Sequence, residues 1–480
     1  MTSFANADLM TALPEIYLAG AICLVLLFDL FLAGDRPGRT ATLTLVVLLV
    51  GAALTLYTTV PGTRTLAFYG QYVADDVSRI LKLAGFLFTA VALFYSGSFL
   101  ARRGLAKGEY YVLTMSALLG VLVLSSATNL LTVYVGVELL SLSLYGLVAF
   151  DRENGIAAEA AMKYFVLGAI ASGMLLYGMS LLYGMTGTLD LAALSAQLAD
   201  TPGVGLVIGV TFVVAAIAFK FGAVPFHMWV PDVYQGAPTA VTLLVATVPK
   251  LASFALAFRL LAEGLGLQSQ EWSAMLAILA VLSVAAGNLI AIAQTNLLRM
   301  LAYSAIANVG FILFGFVAAS GKGYEAALYY TLVYVLMTVA AFGVVLAVAR
   351  DGFEGDKLDD YKGLGARDPL LAGILAVVMF STAGIPPFVG FWAKLRVIEA
   401  LLASGHLWIA IFAVVASVVG AYYYLRIVWL MYFDAPGERP GPTRATALRM
   451  VLALNALAIL LLGVLPGGLL EIVQRAIPGG

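Results

Sequence analysis

Four ionisable side chains stand deep inside apolar segments of this chain. Glu138, Lys220, Lys250 and Lys394 each lie in a long hydrophobic run of a 480-residue sequence that is 62% hydrophobic and 11% charged. An ionisable group near the bilayer centre costs about 2.5–3.5 kcal/mol on insertion scales, so it is retained where it faces water or a partner. A lysine near a carboxylate in such surroundings can hold or release a proton. The four residues therefore predict a proton path.

Each of the four also has a structural alternative. Lys220 precedes Pro225 by about one helical turn, so it could cap carbonyls that a proline break frees. Lys250 could bind backbone carbonyls, and Lys394 could extend its stem to an interface. Glu138 lies about nine residues into its run, roughly 14 Å at the rise of a helix. A short carboxylate at that depth does not reach water, which favours a functional role.

Two further residues are weaker candidates for the proton path. His227 follows Pro225 closely, and its imidazole titrates near neutral pH, so it is predicted as a possible relay. His406 is too distant in sequence to complete a metal site with it, and no metal is expected. Lys163 stands near the end of its span, where relay work and an interfacial position are equal alternatives.

Other intramembrane polar residues are assigned structural places. Arg259, Lys82 and Asp29 lie within about two turns of span ends and are predicted to be interfacial. Arg426 is deeper, but arginine does not deprotonate, so a structural ion pair is predicted. Three polar side chains of the tenth span are predicted to hold water between the two halves or to hydrogen-bond neighbouring helices: Tyr303, Ser304 and Asn308.

Composition defines the class of protein. A mean hydropathy of +1.00 and apolar runs repeated end to end exclude a soluble globule. The net charge of -1 offers no basic face for nucleic acid, and the single cysteine, Cys23, excludes a disulfide framework and a cysteine-ligated iron–sulfur cluster in this chain. The sequence has neither a dinucleotide fingerprint nor a Walker motif. We expect no cofactor in this chain.

The hydrophobic runs predict an all-α polytopic membrane protein with about fourteen transmembrane helices, forming one integral membrane domain over residues 1–480. The twelfth run, 370–403, exceeds one crossing and is predicted to be interrupted. Loops after odd-numbered spans are rich in basic residues: Arg36, Arg39, Arg102, Arg103, Lys107, Arg152, Arg350, Lys357, Lys362, Arg367, Arg439 and Arg444. The other loops hold little beyond Arg64, Lys322 and Arg475. The positive-inside rule then predicts that both termini face outward.

Two proline-containing segments resemble each other. Residues 220–229 read KFGAVPFHMW, and residues 384–394 read GIPPFVGFWAK. Proline removes a helix hydrogen bond, and a freed carbonyl in hydrocarbon is tolerated where it lines a cavity or is buried in protein. Five spans separate the two segments, and an odd offset inverts topology. We predict inverted five-helix repeats over 110–261 (spans 4–8) and 272–433 (spans 9–13), with helices 7 and 12 broken.

Three motifs carry a family resemblance. Residues 137–145 read VELLSLSLY, residues 225–239 read PFHMWVPDVYQGAPT, and residues 299–306 read RMLAYSAI. In motif order and span count the whole chain resembles the antiporter-like membrane subunits of respiratory complex I, the proton-pumping NADH:quinone oxidoreductase. Among the three large subunits of that family it most resembles subunit N.

The resemblance implies roles for the buried charges. The family places a glutamate on the fifth span, lysines on the broken seventh and on the eighth, and a terminal lysine on the broken twelfth. Glu138, Lys220, Lys250 and Lys394 match in that order, with Glu138 modulating Lys220. The resemblance tilts Lys163 slightly toward function.

The resemblance also implies partners and a location. It implies coupling to quinone reduction in other subunits, which would carry FMN, iron–sulfur clusters and the quinone site. Expected partners are small membrane subunits on the quinone side and an M-like antiporter subunit, in a bacterial inner membrane. A subunit of a multisubunit cation/proton antiporter is the main alternative. A scaffold whose charges only hold the bundle together is the third.

Overall fold

The computed structural model describes residues 2–33, 37–199, 203–350, 352–436, 441–442 and 445–477. Most of them are helical, because long apolar runs follow polar side chains that satisfy the first free backbone N–H groups of a helix. Asn129, Asn154, Asn296 and Ser320 each accept a hydrogen bond from a backbone N–H in the first turn of the helix that follows. These caps explain where the spans begin.

Twenty α-helices follow one another along the described residues. They are α1 (Thr2–Thr11), α2 (Leu13–Phe28), α3 (Pro37–Thr58), α4 (Asp76–Arg102), α5 (Gly108–Ser125), α6 (Leu130–Val148), α7 (Gly155–Thr186), α8 (Leu191–Ala199), α9 (Val204–Phe221), α10 (Trp229–Gly236), α11 (Thr239–Ala257), α12 (Ser269–Ile292), α13 (Leu297–Val317), α14 (Gly321–Val348), α15 (Leu364–Arg367), α16 (Pro369–Ala383), α17 (Val389–Ala403), α18 (Leu407–Tyr432), α19 (Thr446–Val464) and α20 (Gly467–Ala476). Asp29–Ala33 and Phe258–Glu263 are π-helical, and Gly266–Gln268 and Leu358–Tyr361 are 3-10 turns. The strands β1 (Thr65–Ala67) and β2 (Tyr72–Ala74) form an antiparallel hairpin in which Leu66 faces Val73.

The predicted membrane architecture is confirmed. Among the described residues, thirteen helical segments are long and apolar enough to cross a membrane. The predicted twelfth run is two shorter helices, α16 and α17, which complete a fourteenth crossing. The last span, α19, ends at Val464, and Pro466 precedes the separate helix α20. The β-hairpin was not predicted from the sequence.

Both predicted helix breaks are present and are built alike. Gly222 (φ 78°) caps the end of α9 and Gly384 (φ 87°) caps the end of α16, both in the left-handed conformation that glycine adopts without steric cost. The following N–H groups fold back onto the last turn, from Ala223 to Ala218 O at 2.8 Å and from Ile385 to Phe380 O at 3.1 Å. The helices resume as α10 and α17. Each break leaves helix-terminal carbonyls at the middle of a crossing.

The loops gather on two faces. One face, here called the basic face, carries the loops after odd-numbered spans. Arg103 pairs there with Glu354 at 2.5 Å, and Asn296 donates to Asp356 at 2.6 Å. Arg36, Arg439 and Arg444 belong to the same set of loops but lie outside the described residues.

The opposite face carries the β-hairpin and both ends of the described chain. Val73 N donates to Ser126 O at 2.8 Å, and Arg64 pairs with Glu263 at 3.1 Å. α1 contacts β1, and α20 contacts the beginnings of α4 and α14. The two ends therefore share this face. That it is the outward face stays a prediction.

Three helices form the centre of the bundle. α11 and α13 are buried along their apolar windows, and α14 is nearly so, whereas the windows of α2, α3 and α18 are mostly exposed at the lateral surface. The breaks after α9 and α16 pack against this centre. Polar groups at the breaks are therefore held inside protein rather than against hydrocarbon.

Candidate functional site

Lys220 lies in the last turn of α9 and is held by two serines. Its Nζ donates to Ser141 Oγ on α6 at 2.6 Å. Ser253 Oγ on α11 donates to the Lys220 carbonyl at 3.0 Å. The ammonium group therefore points toward α6, the helix that carries Glu138, and does not cap its own helix.

Glu138 has no direct bond to Lys220. It lies one turn before Ser141 on α6, close enough to act electrostatically on Lys220, Tyr134 and Tyr145. Its Oε1 is buried and has no hydrogen-bond partner among the described residues. A buried acceptor of this kind normally binds protein or ordered water. The carboxylate is thus available to a water or to a neighbouring charge.

Lys250 caps the broken helix. Its side chain is 1% exposed, and its Nζ donates to the carbonyl of Phe221, the last residue of α9, at 2.7 Å. The Trp229 ring lies 5.9 Å from the same ammonium group. A cation at a helix C-terminus is favoured by the partial negative charge there. The capping role considered for Lys220 therefore belongs to Lys250.

A small cavity joins the two lysines. It has a volume of 20 Å³ and is lined by Ser141, Lys220, Lys250 and Ser253, with Leu256 among its apolar walls. A cavity of about 10–15 Å³ holds one water when polar partners are at hand. The structure therefore offers room for one bridging water between the first two lysines.

Lys394 repeats this arrangement at the second break. Its Nζ donates to the carbonyl of Ala383, the last residue of α16, at 2.9 Å. The ring of Phe311 lies 5.2 Å from the ammonium group. The side chain thus turns back into the break and does not extend to an interface, so the snorkelling alternative is wrong. Lys250 and Lys394 make the same contact in the two halves.

The polar residues of the tenth span, here α13, form a hydrogen-bond network. Ser304 Oγ lies 2.5 Å from Tyr424 Oη, and Tyr330 donates to Asn308 Oδ1 at 2.8 Å. A second cavity of 20 Å³ adjoins this network, lined among others by Ser304, Thr382 and Tyr424. Both alternatives given for these residues are therefore present, helix–helix bonding and room for water. Tyr303 lies outside this network and faces Arg299.

Lys163 and His227 are placed apart from the lysine cavity. Lys163 is exposed and pairs with Glu159 at 2.8 Å and with Asp232 at 2.9 Å. Asp232 also pairs with Arg299 at 3.1 Å. His227 is partly buried in the first break, and its Nδ1 has no hydrogen-bond partner among the described residues.

Two charged side chains that were predicted to be interfacial form buried ion pairs instead. Lys82 is 1% exposed and pairs with Glu15 at 2.6 Å, and Arg259 is 0% exposed and binds Asp75 with both terminal nitrogens at 2.8 Å. Burial would raise the pKa of Asp75, but Arg259 outweighs it and holds that pKa below its ordinary value. The prediction failed because it judged depth and could not see that the β-hairpin covers these span ends. Asp29, the third of that group, accepts from Thr40 at 2.6 Å.

Some contacts of the candidate site were not assigned from sequence. Ser141 and Ser253 hold Lys220, and Asp232 joins Lys163 to Arg299. Two signals were present, since Ser141 follows Glu138 by three residues on one helix face and Asp232 ends the PFHMWVPD run. Ser253 gave no comparable signal.

Two large polar cavities open on opposite faces. One of 510 Å³ lies at the basic face, lined by Arg103, Asp151, Gln235 and Thr239 among others. One of 570 Å³ lies at the opposite face, lined by Lys322, Glu325, Arg396 and Glu399 among others. The first, here called the basic-face vestibule, borders α10 and α11. The second, here called the opposite-face vestibule, borders α17, which carries Lys394.

Comparison with known proteins identifies the family. Residues 127–420 match the family described as NADH:quinone oxidoreductase/Mrp antiporter, TM. The chain is 50% identical over 479 residues to NADH-quinone oxidoreductase subunit N of Thioalkalivibrio sulfidiphilus, covering 99% of both chains. It is 51% identical over 470 residues to the subunit N of Thiobacillus denitrificans, covering 97% of both chains.

Solved structures agree. A chain of respiratory complex I from Thermus thermophilus is 33% identical, with a TM-score of 0.83 over 96% of this chain and 100% of that one. A chain of the Mrp complex from Dietzia sp. DQ12-45-1b has a TM-score of 0.86 over 98% of this chain and 97% of that one, at 23% identity, which shows the fold alone. The fold is thus shared by both kinds of complex, whereas the sequence is much closer to one of them. The chain belongs to the NADH-quinone oxidoreductase subunit N family of antiporter-like membrane proteins.

Proposed function

We propose that this chain is a proton-translocating membrane-arm subunit of a bacterial NADH:quinone oxidoreductase. One observation carries the proposal: Lys220 and Lys250 border a cavity with room for one water, and the neighbouring Glu138 has a buried oxygen with no bond among the described residues. A proton can pass between two amines through one water, and a carboxylate nearby can bias which amine holds it. The chain itself contributes no redox step.

The proposed path uses both halves. Protons enter from the basic-face vestibule, pass Lys220 and Lys250, cross the Ser304–Tyr424 network, reach Lys394 and leave through the opposite-face vestibule. Two facts support this order, the two one-water cavities and the position of one vestibule beside each half. His227 and Lys163 are proposed to shape the entrance, since Lys163 and Asp232 lie near the basic face.

The proposed coupling is electrostatic. Glu138 acts on Lys220 through space, with no direct ion pair between them in the structure. A charge moved toward or away from Glu138 by a neighbouring subunit would change how tightly Lys220 holds its proton. Moving one charge across 100 mV requires about 2.3 kcal/mol, which a shift of a few ångströms in low dielectric supplies.

The partners follow from the family. We propose small quinone-side membrane subunits on one lateral surface and an M-like antiporter subunit on the other, within the bacterial inner membrane and with both termini on the periplasmic side. FMN, iron–sulfur clusters and quinone belong to other subunits of that complex. The exposed apolar side chains of α2 and α18, such as Leu24, Trp408 and Trp429, suit contact with lipid or with such neighbours.

The first experiment isolates the complex. The chain is tagged in its host, solubilised gently and purified, and the eluate is assayed for flavin and for NADH:quinone reductase activity. Co-purification of both supports the proposal. A flavin-free eluate of multispan subunits alone would favour a cation/proton antiporter instead.

A second measurement separates pumping from scaffolding. In the purified complex, Lys220→Ala is expected to lower the number of protons moved per electron. If the variant lowers only the amount of complex, and the assembled fraction pumps normally, the charges serve as a scaffold.

A further inference from the structure

An arginine near the end of the last helix of each half binds the end of the first helix of that half. Arg259, just beyond α11, donates through Nε and Nη2 to the carbonyl of Ser125, the last residue of α5, at 3.1 and 2.7 Å. Arg426, near the end of α18, donates through Nη1 to the carbonyls of Ile292, the last residue of α12, and of Gln294, both at 3.3 Å. The same contact is thus made twice, and the ion pair predicted for Arg426 is replaced by backbone carbonyls.

The two contacts lie at different faces. Ser125 adjoins the β-hairpin at the opposite face, because Val73 bonds its neighbour Ser126. Ile292 lies at the basic face, four residues before Asn296 and its partner Asp356. Each arginine therefore lies at the face away from the vestibule of its own half. The first half is open toward one face and the second toward the other.

The Arg259 site forms a charged plug. Its guanidinium binds Asp75 and also Glu263 at 2.9 Å, and Glu263 pairs with Arg64. Two cations and two carboxylates are thus paired beside the β-hairpin, with Arg259 fully buried and Arg64 54% exposed at the edge of the cluster. Removing one partner of the buried Arg259–Asp75 pair is costly, because the other charge is left buried and unpaired.

Each arginine stands next to the cavity of its half. Leu256 lines the cavity of Lys220 and Lys250 one short turn before Arg259, and Tyr424 lines the second cavity two residues before Arg426. A guanidinium group does not deprotonate, so it is a fixed cation that cannot relay a proton. Fixed arginine charge is one means by which membrane pores exclude protons and cations.

We propose that Arg259 and Arg426 are a matched pair of seals that limit each half of the chain to access from one face. Arg259 closes the first half at the opposite face, and Arg426 closes the second half at the basic face. The reason for such seals rests on the proposed proton path. The seals themselves concern the access of water to each cavity from each face, and this access is measured without NADH oxidation. Arg426 is partly exposed and makes two longer bonds, so its seal is the weaker one.

The test measures water access from each face in sealed, oriented membrane vesicles that hold the intact complex. Leu256→Cys reports on the first cavity and Leu301→Cys on the second, each in a Cys23→Ser background because Cys23 is an exposed free thiol. The probe is a charged methanethiosulfonate reagent that does not cross membranes. It is added to one face at a time.

With Arg259 intact, we expect Leu256→Cys to resist the reagent added at the opposite face. Arg259→Met should raise its labelling rate from that face by about tenfold or more, since an unpaired Asp75 draws in water. Arg426→Met should do the same for Leu301→Cys from the basic face, by a smaller factor. Each arginine variant should leave the other cavity unchanged. Arg475→Met, which removes an exposed arginine on α20, is the matched control.

Labelling that stays at the control rate in assembled Arg259→Met and Arg426→Met complexes would overturn the seals. Arg259→Lys keeps a cation but loses the planar guanidinium group, and it is used in the same labelling test if the methionine variant does not assemble. Passive collapse of a pH gradient without NADH is the second readout, and it should be faster in Arg259→Met vesicles. Changed labelling with unchanged proton pumping would leave the seals standing and contradict the proposed proton path.

Discussion

The two broken helices have the same backbone geometry at the break but different charged side chains around it. At both breaks a lysine donates to the last carbonyl of the helix that precedes the break. Lys250 on α11 donates to Phe221 O, and Lys394 on α17 donates to Ala383 O. Among the described residues, the first break alone adds a second lysine, Lys220, and a nearby carboxylate, Glu138. The shared part is what a helix break requires, because a buried C-terminus needs a donor. The added part is what the proposed proton control uses.

This difference separates structural need from function. Lys394 has no carboxylate among the contacts described for it, and its partners are a carbonyl and the ring of Phe311. The ammonium group of Lys394 is therefore held by the helix end. The ammonium group of Lys220 instead has a carboxylate nearby, Glu138, through which the proposed coupling acts. We infer that control enters at the first break and that the second break responds.

Removing a capping lysine should have the largest effect. In both Lys250→Met and Lys394→Met, a buried carbonyl loses its donor and the path loses a relay, so proton pumping should fall by about a hundredfold. The measurement is protons moved per electron by the purified complex in vesicles. Equal losses at the two breaks would support equivalent roles.

Lys362→Met is the control for this pair, because it removes a surface lysine that pairs with Asp359 and lines neither vestibule. Normal pumping in Lys394→Met alone would show that the second break is only structural.

Neutralising Glu138 should have a smaller effect. Glu138→Gln keeps the shape of the side chain and removes the charge that biases Lys220, so pumping should fall by about fivefold, within the usual range of coupling energies. Glu138→Asp should retain part of the activity. The matched control is Glu471→Gln, which neutralises an exposed glutamate on α20. An unchanged proton-to-electron ratio in Glu138→Gln would contradict the proposed control.

The sequence predicted most of the fold and part of the site. Apolar run length predicted the crossings, and Pro225 and Pro387 predicted the two breaks, because both signals are local. The burial of Arg259 was missed, since its partner Asp75 lies 184 residues away and depth alone favours an interface. Carbonyl contacts were considered for both Lys220 and Lys250, and that Lys250 is the one that caps the break was not predicted for the same reason. Which carbonyl a lysine reaches depends on how helices pack.

The serines that hold Lys220 allow a finer test of the first break. Ser141→Ala removes the acceptor of the Lys220 ammonium group, whereas Ser253→Ala removes a bond to its backbone. A hydrogen bond to a charged group contributes about 1.5–3 kcal/mol, so Ser141→Ala should reduce pumping by up to about tenfold. Ser253→Ala should reduce it less. A larger effect of Ser253→Ala would show that the position of the helix end matters more than the ammonium contact.

The glycines that end α9 and α16 should separate stability from function. A Cβ at Gly222 would lie 2.6 Å from Val230 Cγ2, and one at Gly384 would lie 2.8 Å from Lys394 Cδ. Both positions are left-handed, so alanine at either costs about 1–3 kcal/mol of stability. The branched side chain of Val230 has few rotamers with which to avoid the added Cβ, whereas the flexible stem of Lys394 can move away from it.

We therefore expect Gly222→Ala to lower the thermal unfolding temperature of the complex more than Gly384→Ala does. Gly384→Ala should in turn lower pumping more, because it displaces the ammonium group of Lys394 from the Ala383 carbonyl. Gly373→Ala, in the interior of α16 with open space at its Cβ, is the control and should be neutral or slightly stabilising. If Gly384→Ala lost stability but pumped normally, the position of the Lys394 ammonium group would not limit proton transfer. The two breaks would then differ in the role of their lysines as well as in the charged side chains around them.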